Sequence, residues 1–147
     1  MHDIRTGYEP GCIGAVAQLH GQYYASEWGF DAFFEAKVAR ELADFMTRYD
    51  AQSDAFFSVH QAGQLAGTIT IDGAHASTDG AHLRWFIMSD ALRGQGYGRA
   101  LINAAINFCT KRAYSSVYLW TFGGLDGARR LYDDAGFIMV HEQRGGG

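Results

Sequence analysis

The stretch "HLRWFIMSDALRGQGYGRALINAAINFC", residues His82 to Cys109, carries the change of pattern on which the fold depends. Its opening "HLRWFIMS" is a mainly apolar run that predicts a long strand. Three glycines, Gly94, Gly96 and Gly98, then fall within five positions. A helix is predicted after them, because apolar residues recur there at helical steps: Leu101, Ala105, Ile106 and Cys109.

Glycines at the entrance of a helix leave its first N–H groups open to a ligand, and the helix dipole favours an anion there. A phosphate or pyrophosphate is the natural guest. The Walker pattern is excluded because no Gly-Lys-Ser/Thr follows, and the dinucleotide fingerprint G-x-G-x-x-G has a different spacing. A tight turn that binds no ligand is the alternative explanation of the three glycines.

The rest of the chain predicts a mixed α/β layered fold in one domain over residues 1–147. A short strand at Ile4–Glu9 precedes a helix over Gly11–Trp28, and Asp31 is the expected N-cap of a second helix. "AFFSVHQAGQLAGTITIDG" predicts a hairpin, and "SSVYLWTF" predicts a strand after the glycine-entered helix. Asp126 is expected to cap a last helix that ends at Gly136, before the final strand "FIMVHEQ".

Charge and cysteine content limit the classes of function. The net charge of −4 gives no reason to expect nucleic acid or an anionic membrane as a partner. Cys12 and Cys109 form neither a metal-binding spacing nor a disulfide framework, so reduced thiols and no metal are expected. No signal peptide or membrane-spanning run is recognised, which predicts a cytoplasmic protein.

The run Arg93-Gly94-Gln95-Gly96-Tyr97-Gly98 fits the pattern Arg/Gln-x-x-Gly-x-Gly and resembles the acetyl-CoA signature of the GNAT acetyltransferase superfamily. "GARRLYDDAGF", about 35 residues later, is similar to the helix-to-strand segment of that family. The stretches "LRWF" and "YLWTFGGLDGARRLY" are also similar to acetyltransferase domains fused to MarR-type regulators. The resemblance implies a central, mostly antiparallel sheet, splayed between its fourth and fifth strands and flanked by about four helices.

The resemblance also implies how acetyl-CoA would be bound. The glycine loop would offer its amides to the pyrophosphate, and the central strand would offer its backbone to the pantetheine arm. Tyr132 matches the tyrosine that protonates the departing thiolate, with an ordinary buried aromatic as the alternative. The residues expected at the cofactor are Phe86, Ile87, Met88, Arg93, Gly94, Gln95, Gly96, Tyr97, Gly98, Arg99 and Ala128.

Departures from the family pattern leave the general base open. Leu125 stands where many members have an asparagine, and Trp120 stands where some have a glutamate base. His82 occupies the position at which another branch has its base, although a polar residue at a strand entrance explains it equally well. Glu27 is a third candidate.

The acceptor is expected at the loop between the first two helices, as the family resemblance implies. The residues expected to contact it are Tyr23, Tyr24, Glu27, Trp28 and Trp120, with His20 beside them. Flat apolar surface with one carboxylate suits an amine on an apolar body, while simple packing of the helix pair is the alternative. The expected activity is acetyl transfer from acetyl-CoA to a primary amine, with a small molecule favoured over a protein tail. A non-catalytic acyl-CoA sensor is the alternative function, and a homodimer is one expectation for the oligomeric state.

Overall fold

The computed structural model describes residues 3–121 and 141–142. The strands are β1 (Arg5–Thr6), β2 (Ala55–Gln61), β3 (Gln64–Asp72), β4 (Ala81–Met88), β5 (Val117–Tyr118), β6 (Trp120–Thr121) and β7 (His141–Glu142). The helices are α1 (Cys12–Trp28), α2 (Ala32–Thr47) and α3 (Tyr97–Lys111), with a short 3₁₀ turn at Asp90–Leu92. The predicted fourth helix, capped by Asp126, lies outside the described residues.

Strands β1 to β5 form one sheet in sequential order. Neighbours are antiparallel except for β4 and β5, which are parallel. Phe56 packs in a buried cluster with α1 and α2, whereas its neighbour Phe57 packs in the cluster that contains α3 residues. Because successive strand residues point to opposite faces, the sheet lies between the α1–α2 pair and α3. The predicted layered α/β fold is confirmed.

Glycine and aspartate fix the connection between α1 and α2. Gly29 ends α1 with φ of 70°, in the left-handed region that favours glycine. Asp31 then caps α2, since its side chain accepts a hydrogen bond of 3.1 Å from the backbone N–H of Phe33. Both helix boundaries lie where the sequence predicts them. Tyr49 lies just beyond the end of α2, but its ring still packs edge-on against Phe45 at 5.6 Å.

The β2–β3 hairpin turns at Ala62 and Gly63, which have φ of 53° and 80°. Gln61 and Gln64 are opposite each other on either side of them. Two successive left-handed residues are the requirement of a type I′ turn, whose twist matches that of the strands it joins. The predicted hairpin is confirmed.

The strand after α3 is divided rather than continuous. Val117 and Tyr118 pair with Ala81 and His82 of β4, but Trp120–Thr121 pairs with His141–Glu142 instead. Within the described residues, the pairing of β4 with β5 therefore ends at His82, which agrees with the splay expected between the fourth and fifth strands. The first strand is also shorter than expected, covering only Arg5–Thr6.

Candidate functional site

Strand β4 contains a bulge three residues after its described pairing with β5 ends at His82. Thr68 of β3 is opposite Ile87 and Thr70 is opposite Arg84, so that Trp85 and Phe86 share one position across from Ile69. Trp85 has φ of 47°, an uncommon left-handed conformation for a bulky residue. The Thr68 hydroxyl donates a 2.9 Å hydrogen bond to the Trp85 carbonyl. Sequence analysis missed the bulge, because no residue type at this position signals it.

The bulge lies in the part of β4 that follows its described pairing with β5. In the described part of the sheet, β5 lies opposite Ala81 and His82 and reaches no further along β4. Phe86 and Met88 pack toward the cluster that contains α3, and Ile87 is buried. An extended chain rich in amide groups can add to a strand edge. These three predicted cofactor residues therefore lie beyond the described pairing of β4 with β5.

The glycine loop connects β4 to α3 through two left-handed residues. Gly94 has φ of 77°, and Gly96, directly before α3, has φ of 84°. A Cβ atom added to Gly94 would meet no described atom within 4 Å. Helix α3 begins without a side-chain cap in the described structure and without an acidic residue in its first turn. Its first amides and its dipole thus suit an anion, which is the property that a pyrophosphate site requires.

Side chains of the loop hold its shape and connect it to α1. Gln95 donates a 2.8 Å hydrogen bond to the carbonyl of Ala91. The Arg93 guanidinium donates to Asp90 at 2.7 Å and lies over the Tyr23 ring, 5.8 Å from its centre. The structure therefore brings a predicted cofactor residue into contact with a predicted acceptor residue. Arg99 is exposed in the first turn of α3, while Tyr97 is half-buried and Gly98 is buried.

Aromatic rings join α1 to α2 in a continuous cluster. Tyr24 is its centre, with Tyr23 edge-on at 5.0 Å, Phe30 stacked at 5.8 Å and Phe34 at 4.8 Å. Trp28 contacts Phe30 at 6.3 Å. Burial raises the pKa of Tyr24 to about 12, so its hydroxyl stays protonated at neutral pH. These contacts support packing as one role of the tyrosines.

A cleft of about 310 Å³ opens beside this cluster. Its lining consists of Gly29, Phe30, Asp31, Phe33, Phe34 and Lys37. Phe33 is 74% exposed, which is unusual for so large an apolar side chain. Sequence analysis did not include these phenylalanines, although the aromatic density of "GFDAFFEAK" was the available signal. Glu27, a predicted acceptor residue, is exposed in the last turn of α1.

His82 lies at the last paired position before β4 and β5 separate. Its ring stacks on Tyr118 with centres 4.5 Å apart and planes inclined by 11°. Burial, followed by the nearby Arg84 charge, lowers the pKa of His82 to about 4, against the opposing effect of Asp72 and Glu41. The imidazole is therefore neutral at pH 7 but only weakly basic. Its role as a general base stays a prediction.

A chain of ion pairs surrounds this half of β4. Arg84 contacts Glu41 of α2 at 2.8 Å and Asp72 of β3 at 3.2 Å, and its guanidinium stacks 4.1 Å above the Trp85 ring. Arg48 completes the chain with a 2.6 Å contact to Asp72. Arginine and carboxylate side chains from three elements thus fix the polar surface next to His82.

Other predicted site residues are not tested by the geometry. Tyr132 and Ala128 lie outside the described residues, and Trp120 is placed by its backbone in β6. Within residues 3–121 and 141–142, no group of three His, Cys, Asp or Glu side chains is arranged to hold a metal ion. Each helix in this part of the chain lacks the length and apolar character that a membrane-crossing helix needs.

Comparison with known proteins agrees with this geometry. Residues 15–137 match the family model described as the acetyltransferase (GNAT) family. An uncharacterised N-acetyltransferase of Methanocaldococcus jannaschii is 30% identical over 121 residues, which cover 78% of this chain and 53% of the relative. The human N-acetylaspartate synthetase is 26% identical over 127 residues, which cover 86% of this chain and 42% of the relative. The chain thus spans about half the length of these curated relatives.

A solved structure from Clostridium acetobutylicum, described as a predicted acetyltransferase with acetyl-CoA, has the same fold. It superimposes with a TM-score of 0.70 at 14% identity, covering 97% of this chain and 94% of that one. At this identity the likeness speaks for the fold alone. The family match, which covers most of the chain, carries the assignment: this chain belongs to the GNAT family of acetyltransferases.

Proposed function

We propose that the protein is an N-acetyltransferase that moves an acetyl group from acetyl-CoA to a primary amine. The observation that carries the proposal is the glycine loop that follows the stretch of β4 beyond its described pairing with β5. Gly94 and Gly96 open the loop toward the start of α3, where the described structure has no side-chain cap. Residues 83–88 of β4, beyond the described pairing with β5, end shortly before this loop. An anion site next to an amide-binding edge suits a ligand that has a diphosphate at one end and a peptide-like arm at the other.

The proposed reaction is direct attack of the amine on the thioester. The nitrogen forms a bond to the acetyl carbon, the carbon–sulfur bond breaks, and the thiolate leaves with the electron pair. The backbone of residues 86–88 would hold the arm in place, so that catalysis comes mainly from positioning and from amides directed at the carbonyl oxygen. Tyr132 is proposed to protonate the thiolate, by analogy with the family.

A small molecule is the proposed acceptor, bound along the aromatic cluster at the α1–α2 connection. The cleft of about 310 Å³ lies at the lower end of the sizes usual for small-molecule sites, and three phenylalanines line it. The name of the human relative states a small amino-acid product, N-acetylaspartate. The amine of a protein or peptide is the second candidate acceptor.

A non-catalytic acyl-CoA-binding module is the alternative function. Leu125 replaces the asparagine of many members, and the weakly basic His82 does not supply an obvious base. The two functions differ in turnover but not in binding of acetyl-CoA.

Thiol release from acetyl-CoA, measured with a panel of primary amines, tests the proposal. Release that depends on an added amine, with the acetylated amine identified by mass spectrometry, is the expected result. Binding of acetyl-CoA by calorimetry without release under any amine would instead establish the binding module. Absence of both would contradict each function.

A further inference from the structure

The carboxylates that act on His82 already have cationic partners. One oxygen of Glu41 contacts the Lys37 ammonium at 2.6 Å, and the other contacts Arg84 at 2.8 Å. Glu41 and Lys37 are one turn apart on α2, and Arg84 reaches Glu41 from β4. Both oxygens of this carboxylate are therefore occupied.

Asp72 is engaged even more completely. Its Oδ2 accepts from Arg48 at 2.6 Å and from Arg84 at 3.2 Å. Its Oδ1 accepts from Arg48 at 3.3 Å and from the backbone N–H of Ala74 at 3.2 Å. Its side chain is only 9% exposed, so an additional cation would have to displace one of these donors.

His82 itself faces these paired charges from the adjacent strand. It is the cross-strand partner of Asp72 on one side and of Tyr118 on the other, and it is two residues from Arg84. Tyr118 is uncharged at neutral pH, because burial and the nearby Asp79 raise the pKa of its hydroxyl. The charges that act on His82 itself are those of Arg84, Asp72 and Glu41, and Lys37 and Arg48 pair with the two carboxylates.

We propose that the acceptor, with its body along the aromatic cluster, presents its amino group to His82 as a neutral amine, so that the enzyme selects primary amines that lose their proton easily. The inference rests on the proposed function. An ammonium would approach the Arg84 charge, and both carboxylates that act on His82 are already paired. A neutral amine brings no charge toward Arg84 and still donates an N–H hydrogen bond to the His82 ring.

The class of acceptor follows from this preference. An α-amine has an ordinary pKa of about 8, whereas an alkyl amine such as that of lysine has one of about 10.4. At pH 7 the neutral fraction of an α-amine is therefore larger by roughly two orders of magnitude. The selected acceptors are α-amines and amines with electron-withdrawing neighbours, in preference to simple alkyl amines.

A weakly basic imidazole is sufficient to accept the proton that the nitrogen loses after the attack. After the neutral nitrogen has bonded to the acetyl carbon, it carries a positive charge and its proton becomes strongly acidic. That proton passes to the His82 ring and then to water, while the carbon–sulfur bond breaks and the thiolate keeps the electron pair. His82 thus acts after the attack rather than before it.

The pH dependence of kcat/KM for amines of nearly equal size tests the proposal. Ethylamine, 2-fluoroethylamine and 2,2-difluoroethylamine form such a series, because each fluorine lowers the pKa of the amine. For each amine, kcat/KM is expected to rise tenfold per pH unit up to the pKa of that amine. A flat profile between pH 6 and 9 that is common to all three would mean that the ammonium form binds, which would overturn the proposal.

Substitution of Arg84 tests the electrostatic cause. Arg84→Met frees one oxygen of Glu41 and exposes Asp72, so the preference for an α-amine over an alkyl amine at pH 7 should fall about tenfold. In the same variant the pKa of His82, followed by NMR titration of its ring without acetyl-CoA, should rise. Adding Asp72→Asn should restore the low value, whereas a loss of packing would not be repaired by a second substitution.

Arg40→Met is the matched control, since Arg40 is exposed on the same helix as Glu41. It should change neither the preference nor the His82 pKa. An Arg84→Met enzyme that is folded and keeps the full preference would overturn the proposal, as would a wild-type His82 pKa above 6.5. Absence of thiol release with every amine up to pH 9 would instead refute the proposed function. The titration of His82 does not depend on turnover, so the two failures can be distinguished.

Discussion

The guanidinium carbon of Arg93 lies 5.8 Å from the centre of the Tyr23 ring, and this contact joins the glycine loop to helix α1. The same guanidinium donates to Asp90 at 2.7 Å. Both side chains of that ion pair are exposed, 55% for Arg93 and 88% for Asp90, so the pair is weak and easily exchanged. A diphosphate in the loop can therefore take Arg93 from Asp90 while the Tyr23 ring continues to support it.

Tyr23→Leu is expected to weaken binding of acetyl-CoA by about two- to fivefold, because an exposed cation–π contact contributes about 0.5–1 kcal/mol. Tyr23→Phe keeps the ring and should bind as wild type does. Calorimetric titration of both variants measures the difference. Equal affinities for the leucine and phenylalanine variants would show that the ring does not support Arg93.

Gly96→Asp should abolish most binding of acetyl-CoA, since it places a negative charge where the diphosphate is expected. Gly96→Asn is the matched control, because asparagine has the same size, carries no charge and tolerates the left-handed conformation of this residue. We expect binding of the aspartate variant to be weaker than that of the asparagine variant by about tenfold or more. Both residues are good N-caps, so thermal melting should show folded proteins. Equal binding of the two variants would place the diphosphate elsewhere.

Tyr132→Phe is expected to lower kcat by about tenfold to a thousandfold, which is the usual range for loss of a general acid. The affinity for acetyl-CoA should hardly change, since the ring remains. Rapid-quench kinetics with a good acceptor, under conditions in which chemistry limits the rate, measure the effect. Full kcat in this variant would remove the acid role, and an unfolded variant would favour packing as the function of the ring.

The buried, neutral imidazole of His20 should make the protein less stable in mild acid. It is buried, its Nδ1–H donates to the Val16 carbonyl at 2.9 Å, and burial lowers its pKa from 6.5 to about 4. The unfolded chain therefore binds more protons between pH 6.5 and 4, so the free energy of unfolding falls as the pH is lowered through this window. Between pH 7 and pH 4.5, this difference in pKa should lower the free energy of unfolding by roughly 2–3 kcal/mol. Urea unfolding of wild type and His20→Leu at pH 7 and pH 4.5 measures it, and the same pH dependence in both proteins would contradict it.

Local signals predicted most of the fold. Gly29 and Asp31 end one helix and begin the next as expected, and the hairpin turn lies at the predicted glycine. The glycine loop was found in the same way, because its spacing and the helix that follows are adjacent in the sequence. The similarity to domains fused to MarR-type regulators and the extent of one domain over residues 1–147 stay predictions.

The polar half of the site could not be predicted, because it depends on pairs that are distant in the sequence. Arg84 meets Glu41 from 43 residues away, and Arg48 meets Asp72 from 24 residues away. No local pattern indicates such partners, and burial in the folded state determines the pKa of His82. The aromatic cluster was predicted in part, since Tyr23, Tyr24 and Trp28 are included but the phenylalanines of the cleft are not.

The core on the α3 side of the sheet does not require the bulge in β4. Ala81 and Leu83 before it, and Phe86 and Met88 after it, all pack toward the α3 side. If one residue between Leu83 and Phe86 were removed, regular strand alternation would place the same four side chains on the α3 side. Trp85 is therefore an insertion that the core on this side does not need. On the other face Trp85 packs against Phe45, with ring centres 5.6 Å apart. Deletion of Trp85 should therefore lower stability but leave a folded protein, by circular dichroism, that has a straight strand and no longer binds acetyl-CoA. The chain keeps a strained extra residue in its central strand, in the stretch that leads from the end of the described β5 pairing to the glycine loop.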